Sequence, residues 1–102
     1  MGEFFALRLA KLRTQKGVSA RDMSLSLGQN PGYINSIENG KALPSMSLFF
    51  YICDYFGITP AAFFEEENLS PMNVAGIVKK LEQLPADRLD HIEAIVDDLL
   101  KK

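Results

Sequence analysis

Residues 19–44 constrain the fold most, because they contain the start and stop signals of two short helices around one turn. Ser19 suits the N-cap of the first helix, and Gly28 suits the left-handed position that ends it. Asn30 followed by Pro31 predicts the N-cap and the first position of a second helix. The stretch therefore predicts two helices in close succession.

Apolar side chains recur at helical spacing in both segments. Met23 and Leu27 lie four residues apart in the first, while Tyr33, Ile34 and Ile37 give the second its apolar face. An Asn-Gly pair at residues 39–40 then stops the second helix. Two short helices joined by a glycine turn are typical of the helix-turn-helix motif, whose second helix can enter the DNA major groove.

Three further helices are predicted around this motif. The first runs from about residue 3 to residue 16, and another covers residues 45–57 after the N-cap Ser45. A short helix starts at Thr59, which precedes a proline suited to the first helical position. The predicted core side chains of these three helices are Phe5, Leu9, Leu12, Met46, Phe49, Ile52, Cys53, Phe56 and Phe63.

The last third of the chain predicts a helical hairpin. One helix runs from Pro71 to Leu84, and the other runs to about Leu100, with apolar residues at i, i+3, i+7 and i+10. We interpret the hairpin as a docking and dimerisation element, although a hairpin that only completes the core of its own subunit fits the same pattern. The predicted dimerisation side chains are Leu89, Ile92, Ile95, Val96 and Leu99.

Residues 5–64 resemble the phage-repressor type of helix-turn-helix domain, the Cro/repressor (XRE-like) family. The matching residues are Leu9, Leu12-Arg13, Gly17-Val18-Ser19, Met23, Leu27-Gly28, Tyr33-Ile34, Ile37-Glu38-Asn39-Gly40, Pro44, Phe56-Gly57-Ile58 and Phe63. The resemblance implies an all-α fold, with a five-helix repressor-like domain over residues 1–66 and the helical hairpin over residues 67–102. It also implies a sequence-specific DNA-binding transcriptional regulator that acts as a homodimer on a two-fold operator.

The same resemblance implies which residues meet double-stranded DNA. It places the second motif helix against the bases, and the first motif helix and the loop after the second against the phosphates. It further implies a structural salt bridge between Arg13 and Glu38. The implied DNA-binding residues are Ala20, Arg21, Asn30, Pro31, Gly32, Tyr33, Asn35, Ser36, Asn39 and Lys41.

Three of these positions depart from the family's pattern. Pro31 has no donor and Gly32 has no side chain, so neither can make the bidentate base contacts that are worth about 1–3 kcal/mol each. Both fit equally well as residues that start a helix and let another backbone approach. Ala20 stands where the family usually has glutamine. These departures favour an alternative function, a protein-interaction module on the same scaffold, such as an antitoxin or accessory factor.

Charge and composition narrow the function further. The net charge is −2, but residues 1–60 carry six basic and four acidic side chains, whereas residues 61–102 carry five and nine. The mildly basic part coincides with the predicted DNA-binding domain, and affinity for duplex DNA comes largely from phosphate neutralisation. The chain has one cysteine, Cys53, and one histidine, His91, which we interpret as a core thiol and a solvated side chain. We therefore expect a cytoplasmic protein with no membrane segment, no metal, no cofactor and no catalytic residues.

Overall fold

The computed structural model describes residues 2–65 and 70–101, and over these residues the chain forms seven α-helices and no strand. The predicted all-α class is thereby confirmed. The helices are α1 (Gly2–Lys16), α2 (Ala20–Ser26), α3 (Tyr33–Glu38), α4 (Met46–Phe56), α5 (Pro60–Phe63), α6 (Pro71–Leu81) and α7 (Ala86–Leu100). The predicted boundary between residues 66 and 67 lies outside the described residues.

Side-chain caps define the ends of several helices. Ser19 Oγ accepts a hydrogen bond from Asp22 N at 2.9 Å, and Ser45 Oγ accepts one from Leu48 N at 3.2 Å. Gly57 ends α4 in the left-handed conformation with φ +70°, which a residue without a Cβ adopts at little cost. These three helix ends lie where local sequence rules put them.

The start of α3 differs from the prediction. Asn30 is not the N-cap and Pro31 is not the first helical residue, since α3 begins at Tyr33 with Gly32 before it. The Asn30 side chain instead accepts from Gly32 N at 3.0 Å, and Tyr33 N donates to the Asn30 carbonyl at 3.1 Å. This local turn competes with the helix for the same backbone groups, so the helix starts later.

One apolar cluster joins the first five helices. It contains Phe5, Leu9 and Leu12 of α1, Met23 of α2, Ile34 and Ile37 of α3, Phe49, Ile52, Cys53 and Phe56 of α4, and Ile58 and Phe63. Met46 was predicted to belong to it and does not, because 69% of its surface is exposed at the first position of α4. The first buried residue of α4 is Phe49.

A buried cation ties α1 to the end of α5. Arg8, only 5% exposed, donates from Nε to the Phe63 carbonyl at 2.6 Å and from Nη2 to the Ala62 and Glu65 carbonyls at 2.9 and 3.1 Å. These carbonyls lie at the C-terminal end of a helix, where a positive charge is favourable. The sequence analysis missed this role, although Arg8 lies at helical spacing from Phe5 and Leu12 on the buried face of α1.

The C-terminal helices are most deeply buried at the start of α6. Pro71 is buried and Met72 packs against the core cluster, but α7 has no buried residue. Helix α6 ends at Leu81, three residues before the predicted end at Leu84. The radius of gyration, 16.5 Å, exceeds the roughly 13 Å of a compact chain of this length, so these helices project from the core.

Candidate nucleic-acid interface

The solvent-facing side of α3 is polar and open. Gly32, Asn35, Ser36 and Asn39 follow the spacing i, i+3, i+4 and i+7, which brings them to one face of the helix. Ile34 and Ile37, on the opposite face, are buried in the core. Burial of these two isoleucines therefore presents the polar face to solvent, where an amide side chain can meet a base edge or a phosphate.

Ser24 joins the two motif helices through a buried hydroxyl. The side chain is fully buried, and its Oγ donates to the Ala20 carbonyl at 2.7 Å within α2. The same oxygen accepts from Ile34 N, in the first turn of α3, at 3.0 Å. The N–H groups in the first turn of a helix have no carbonyl partner within that helix. The Ser24 hydroxyl supplies this partner for Ile34 N. The pair of bonds sets the position of α3 relative to α2.

A second polar contact holds α3 from the side of α1. Arg13 Nε and Nη2 donate to the two carboxylate oxygens of Glu38 at 2.7 and 3.0 Å, and Arg13 Nη1 donates to the Val18 carbonyl at 2.9 Å. Hydrogen bonding to Glu38 raises the pKa of Arg13. The ion pair that the resemblance implied is thus present, and its two-pronged geometry is among the strongest that side chains form.

The implied DNA-binding residues fall into two groups by exposure. Ala20, Tyr33 and Ser36 are half-buried, and the first two pack against the core cluster. Burial raises the pKa of the Tyr33 hydroxyl. Ala20 contributes a methyl group at the start of α2, and its side chain has no polar atom to offer a phosphate. The exposed members of the set are Arg21, Asn30, Pro31, Gly32, Asn35, Asn39 and Lys41.

The two cations of the set lie on either side of α3 in sequence. Arg21 is exposed in the first turn of α2, and Lys41 is exposed just after α3. The backbone of Lys41 is held to the motif, since its N–H donates to the Ser36 carbonyl at 2.9 Å. This hydrogen bond places the backbone of Lys41 next to α3, and from there the exposed side chain can reach a phosphate.

The remaining candidate side chains of the sequence analysis are Cys53 and His91. Burial raises the pKa of the Cys53 thiol to about 11, which keeps it protonated and poorly nucleophilic at neutral pH. His91 is exposed on α7, and the described residues contain no group of three metal-ligating side chains. Over the same described ranges, none of the helices combines the length and apolar character needed to cross a membrane.

Helix α3 is short, its inner face is buried in the core and its outer face is polar, and it is the second helix of a helix-turn-helix. These features define a class of protein that binds DNA through the second helix of the motif. A comparison with family models supports this class, because the helix-turn-helix model matches residues 9–63, which is more than half of the chain. The chain belongs to the helix-turn-helix family of the Cro/repressor (XRE-like) type, a family of DNA-binding regulators that are typically not enzymes. Searches of curated proteins and of solved structures found no match.

Proposed function

We propose that this DNA-binding regulator recognises a specific two-fold operator as a homodimer and controls transcription there. The observation that carries the proposal is the exposed polar face of α3, which Ser24 holds from α2 and the Arg13–Glu38 pair holds from α1. A reading helix must keep its orientation while it lies in the groove. The two polar contacts supply that orientation without using any side chain of the exposed face.

Asn35 is the side chain we assign to base reading. It is exposed in the middle of α3, and an amide pairs in bidentate fashion with N6 and N7 of adenine. Ser36 beside it can donate or accept and discriminates less. Pro31 and Gly32 add no base contact of their own, but the absence of long side chains there lets the start of α3 approach the groove closely.

Phosphate contacts come from Arg21, Asn39 and Lys41. All three are exposed, and they lie before, at the end of and after α3. Such contacts set the register of the protein on DNA and carry no base preference. Few cations serve each subunit, so a dimer, with twice the number, gains affinity and places two α3 helices about 34–36 Å apart along the duplex. We expect such a protein in the cytoplasm, together with the DNA.

The dimer is proposed to form through α7. Leu89, Ile95, Val96 and Leu99 are all exposed there, and Ile92 is half-buried. A helix of 15 residues is marginal in water without an apolar partner. A surface of this kind on a protein that reads two-fold sites is best explained by contact with a second subunit.

Selection from a random-sequence duplex pool, at about 50 mM and about 200 mM salt, tests the function directly. We expect enrichment of a palindromic site and a steep loss of affinity at the higher salt. Asn35→Ala should weaken binding to that site about 10-fold or more and relax one base position in each half. Asn73→Ala, which removes an exposed asparagine of α6, is the matched control and should change neither. The absence of any enriched site would contradict the proposal.

The second candidate function is a protein-interaction module with weak or no specific DNA binding. It is favoured by exposed aromatic side chains on and after α4, where Phe50 is 49% exposed, Tyr51 59% and Phe64 41%. Apolar surface of this kind marks many protein-binding sites. In the selection experiment this function gives no enriched sequence and only weak, salt-sensitive binding.

A further inference from the structure

A groove lies between α6 and the segment that connects α4 to α5. Its cavity volume is about 600 Å³, and buried Ile58 and Pro71 line it together with half-buried Ala62. Val74 and Val78 of α6 line it too, although 49% and 43% of their surfaces are exposed. The groove is therefore apolar inside and open to solvent along α6.

The open side of the groove has the length of a short helix. The α6 residues that line it at the spacing i, i+3, i+4, i+7 and i+11 share one face of the helix, and they are Pro71, Val74, Ala75, Val78 and Glu82. Eleven residue steps of about 1.5 Å give about 16 Å, or three turns. Sites for small molecules bury about 70–90% of the ligand surface, whereas this groove has an open side. It suits a helix that lays its apolar face into the groove and keeps its polar face in solvent.

The charges that line the groove are mainly negative. Asp54, Glu65 and Glu82 face one cation, Lys79, so that three carboxylates and one ammonium group give a net charge of −2. Among the described residues, none of these four side chains takes part in an ion pair. Gly57, which ends α4, also lines the groove, and the C-terminal end of a helix carries partial negative charge. The charge of the groove therefore favours a basic partner helix.

A second copy of this chain offers no helix of that kind among the described residues. Residues 86–100 have an exposed apolar face, but they carry five acidic side chains and one basic side chain. The apolar faces of α1 to α4 are buried in the core. Helix α6 has Lys79 and Lys80 in its last turn, but its two valines already form a wall of the groove. Charge and burial together point to a different protein.

We propose that this groove binds a basic amphipathic helix of another protein. Apolar side chains at i, i+3 or i+4 and i+7 of that helix pack on Ile58, Val74 and Val78, and its lysine or arginine side chains pair with the three carboxylates. None of the described residues that line the groove belongs to α2 or α3, so the partner leaves the proposed DNA contacts free. The inference adds a protein partner to the regulator and does not depend on operator binding.

Selection from a displayed library of helical peptides of about 15 residues, with the full chain as the target, tests this inference. We expect enrichment of peptides with apolar residues at i, i+3 or i+4 and i+7 and with lysine or arginine beside them. The Kd of an enriched peptide, measured by fluorescence anisotropy, should rise about 10-fold or more when glutamate replaces its basic residues. Enrichment of acidic peptides, or of none, would refute the inference.

Two lysine variants of α6 locate the peptide on the chain. Val78→Lys places a cation in the groove and should raise the Kd of the basic peptide about 10-fold or more. Ile77→Lys changes the neighbouring exposed residue, which does not line the groove, and should leave that Kd within about 3-fold. Lysine favours a helix at least as well as valine or isoleucine, so both variants keep α6. A Kd that responds equally to both variants places the peptide elsewhere and contradicts the inference.

A charge reversal separates the groove from the overall acidity of the chain. Asp54→Lys with Glu82→Lys should make the chain prefer the glutamate peptide over the basic one. Glu93→Lys with Asp97→Lys makes the same charge change on α7 and should keep the preference for the basic peptide. The same loss of preference in both variants would mean that the peptide responds only to net charge, and the groove would not be its site.

Two further measurements identify the other outcomes. Sedimentation equilibrium is run on the wild-type chain and on both lysine variants of α6. A wild-type dimer that Val78→Lys dissociates and Ile77→Lys keeps, with no enriched peptide, would mean that a second copy fills the groove, and the inference would be wrong. Asn35→Ala should bind the basic peptide like wild type. A chain that binds the peptide in the groove but selects no duplex site contradicts only the proposed function.

Discussion

Replacement of Ser24 by alanine tests how α3, the proposed DNA-reading helix, is held in place. The hydroxyl is buried, and it is the acceptor for Ile34 N at 3.0 Å and a donor to the Ala20 carbonyl at 2.7 Å. Ser24→Ala removes one oxygen atom and leaves the shape of the core almost unchanged. The main consequence is a buried N–H at the start of α3 that has lost its acceptor.

The magnitude follows from two opposing effects. A buried backbone donor without a partner costs about 1–3 kcal/mol. Alanine favours the helix over serine by about 0.5 kcal/mol, which offsets part of this cost. We expect the free energy of unfolding to fall by about 0.5–2.5 kcal/mol. For an m-value of about 2 kcal/mol per M in urea, the midpoint of unfolding moves down by about 0.25–1.25 M.

Urea unfolding followed by far-ultraviolet circular dichroism measures this change. Both chains are compared at one protein concentration, because a dimer unfolds at a concentration-dependent midpoint. Ser26→Ala is the control, as it removes an exposed hydroxyl from the same helix and should stay within about 0.5 kcal/mol of wild type. A Ser24→Ala chain as stable as the Ser26→Ala chain would show that the hydroxyl does not hold α3.

Three further predictions concern the Arg13–Glu38 ion pair, Arg8 and Cys53. Removing either member of the ion pair, by Arg13→Met or Glu38→Gln, should lower the free energy of unfolding by about 1–3 kcal/mol. The double variant should lose less than the sum of the two single losses, and additive losses in urea unfolding would show that the two side chains are not coupled. Arg8→Met leaves three carbonyls without their cationic donor and should cost about 2–4 kcal/mol, whereas Lys11→Met, on the exposed side of α1, should cost less than about 0.5 kcal/mol. Burial raises the pKa of Cys53 from 9.0 to about 11, so the thiol loses its proton at a lower pH in the unfolded chain than in the folded chain. The free energy of unfolding is therefore unaffected below pH 9 and falls as the pH rises from 9 toward 11. Cys53→Ala should remove that part of the pH dependence, and an identical slope in both chains would contradict it.

The elements that follow local rules could be predicted from the sequence. Ser19, Ser45 and Thr59 act as N-caps, and each side chain accepts a backbone hydrogen bond three residues on. Caps of this kind depend on a few consecutive residues and little else. The apolar spacing likewise predicted the buried faces of α1 and α4, apart from the first turn of α4. Both kinds of signal are contained within one helix.

The features that escaped prediction depend on competition or on distant partners. At Asn30 two local structures compete for the same side chain, and the turn prevails over the helix cap. Arg8 and Ser24 are polar residues in the core, and their partners lie 55 and 10 residues away. Composition predicts an exposed arginine and an exposed serine. Their positions on the buried faces of α1 and α2 were the available signal, because a polar residue there requires a buried partner.

The low positive charge of the proposed DNA-facing side makes the proposed dimer central to the proposed function. Each subunit offers Arg21 of α2 and Lys41 after α3 as exposed cations. Each phosphate neutralised contributes about −0.9 to the slope of log affinity against log salt, so one subunit gives a slope near −2 and a dimer a slope near −4. Subunits that dissociate from each other therefore bind DNA weakly even if every base contact is kept. Leu99→Asp, which places a charge on the proposed dimerisation face of α7, should lower operator affinity at low protein concentration and leave half-site affinity unchanged. An unchanged operator affinity would mean that the subunits bind independently.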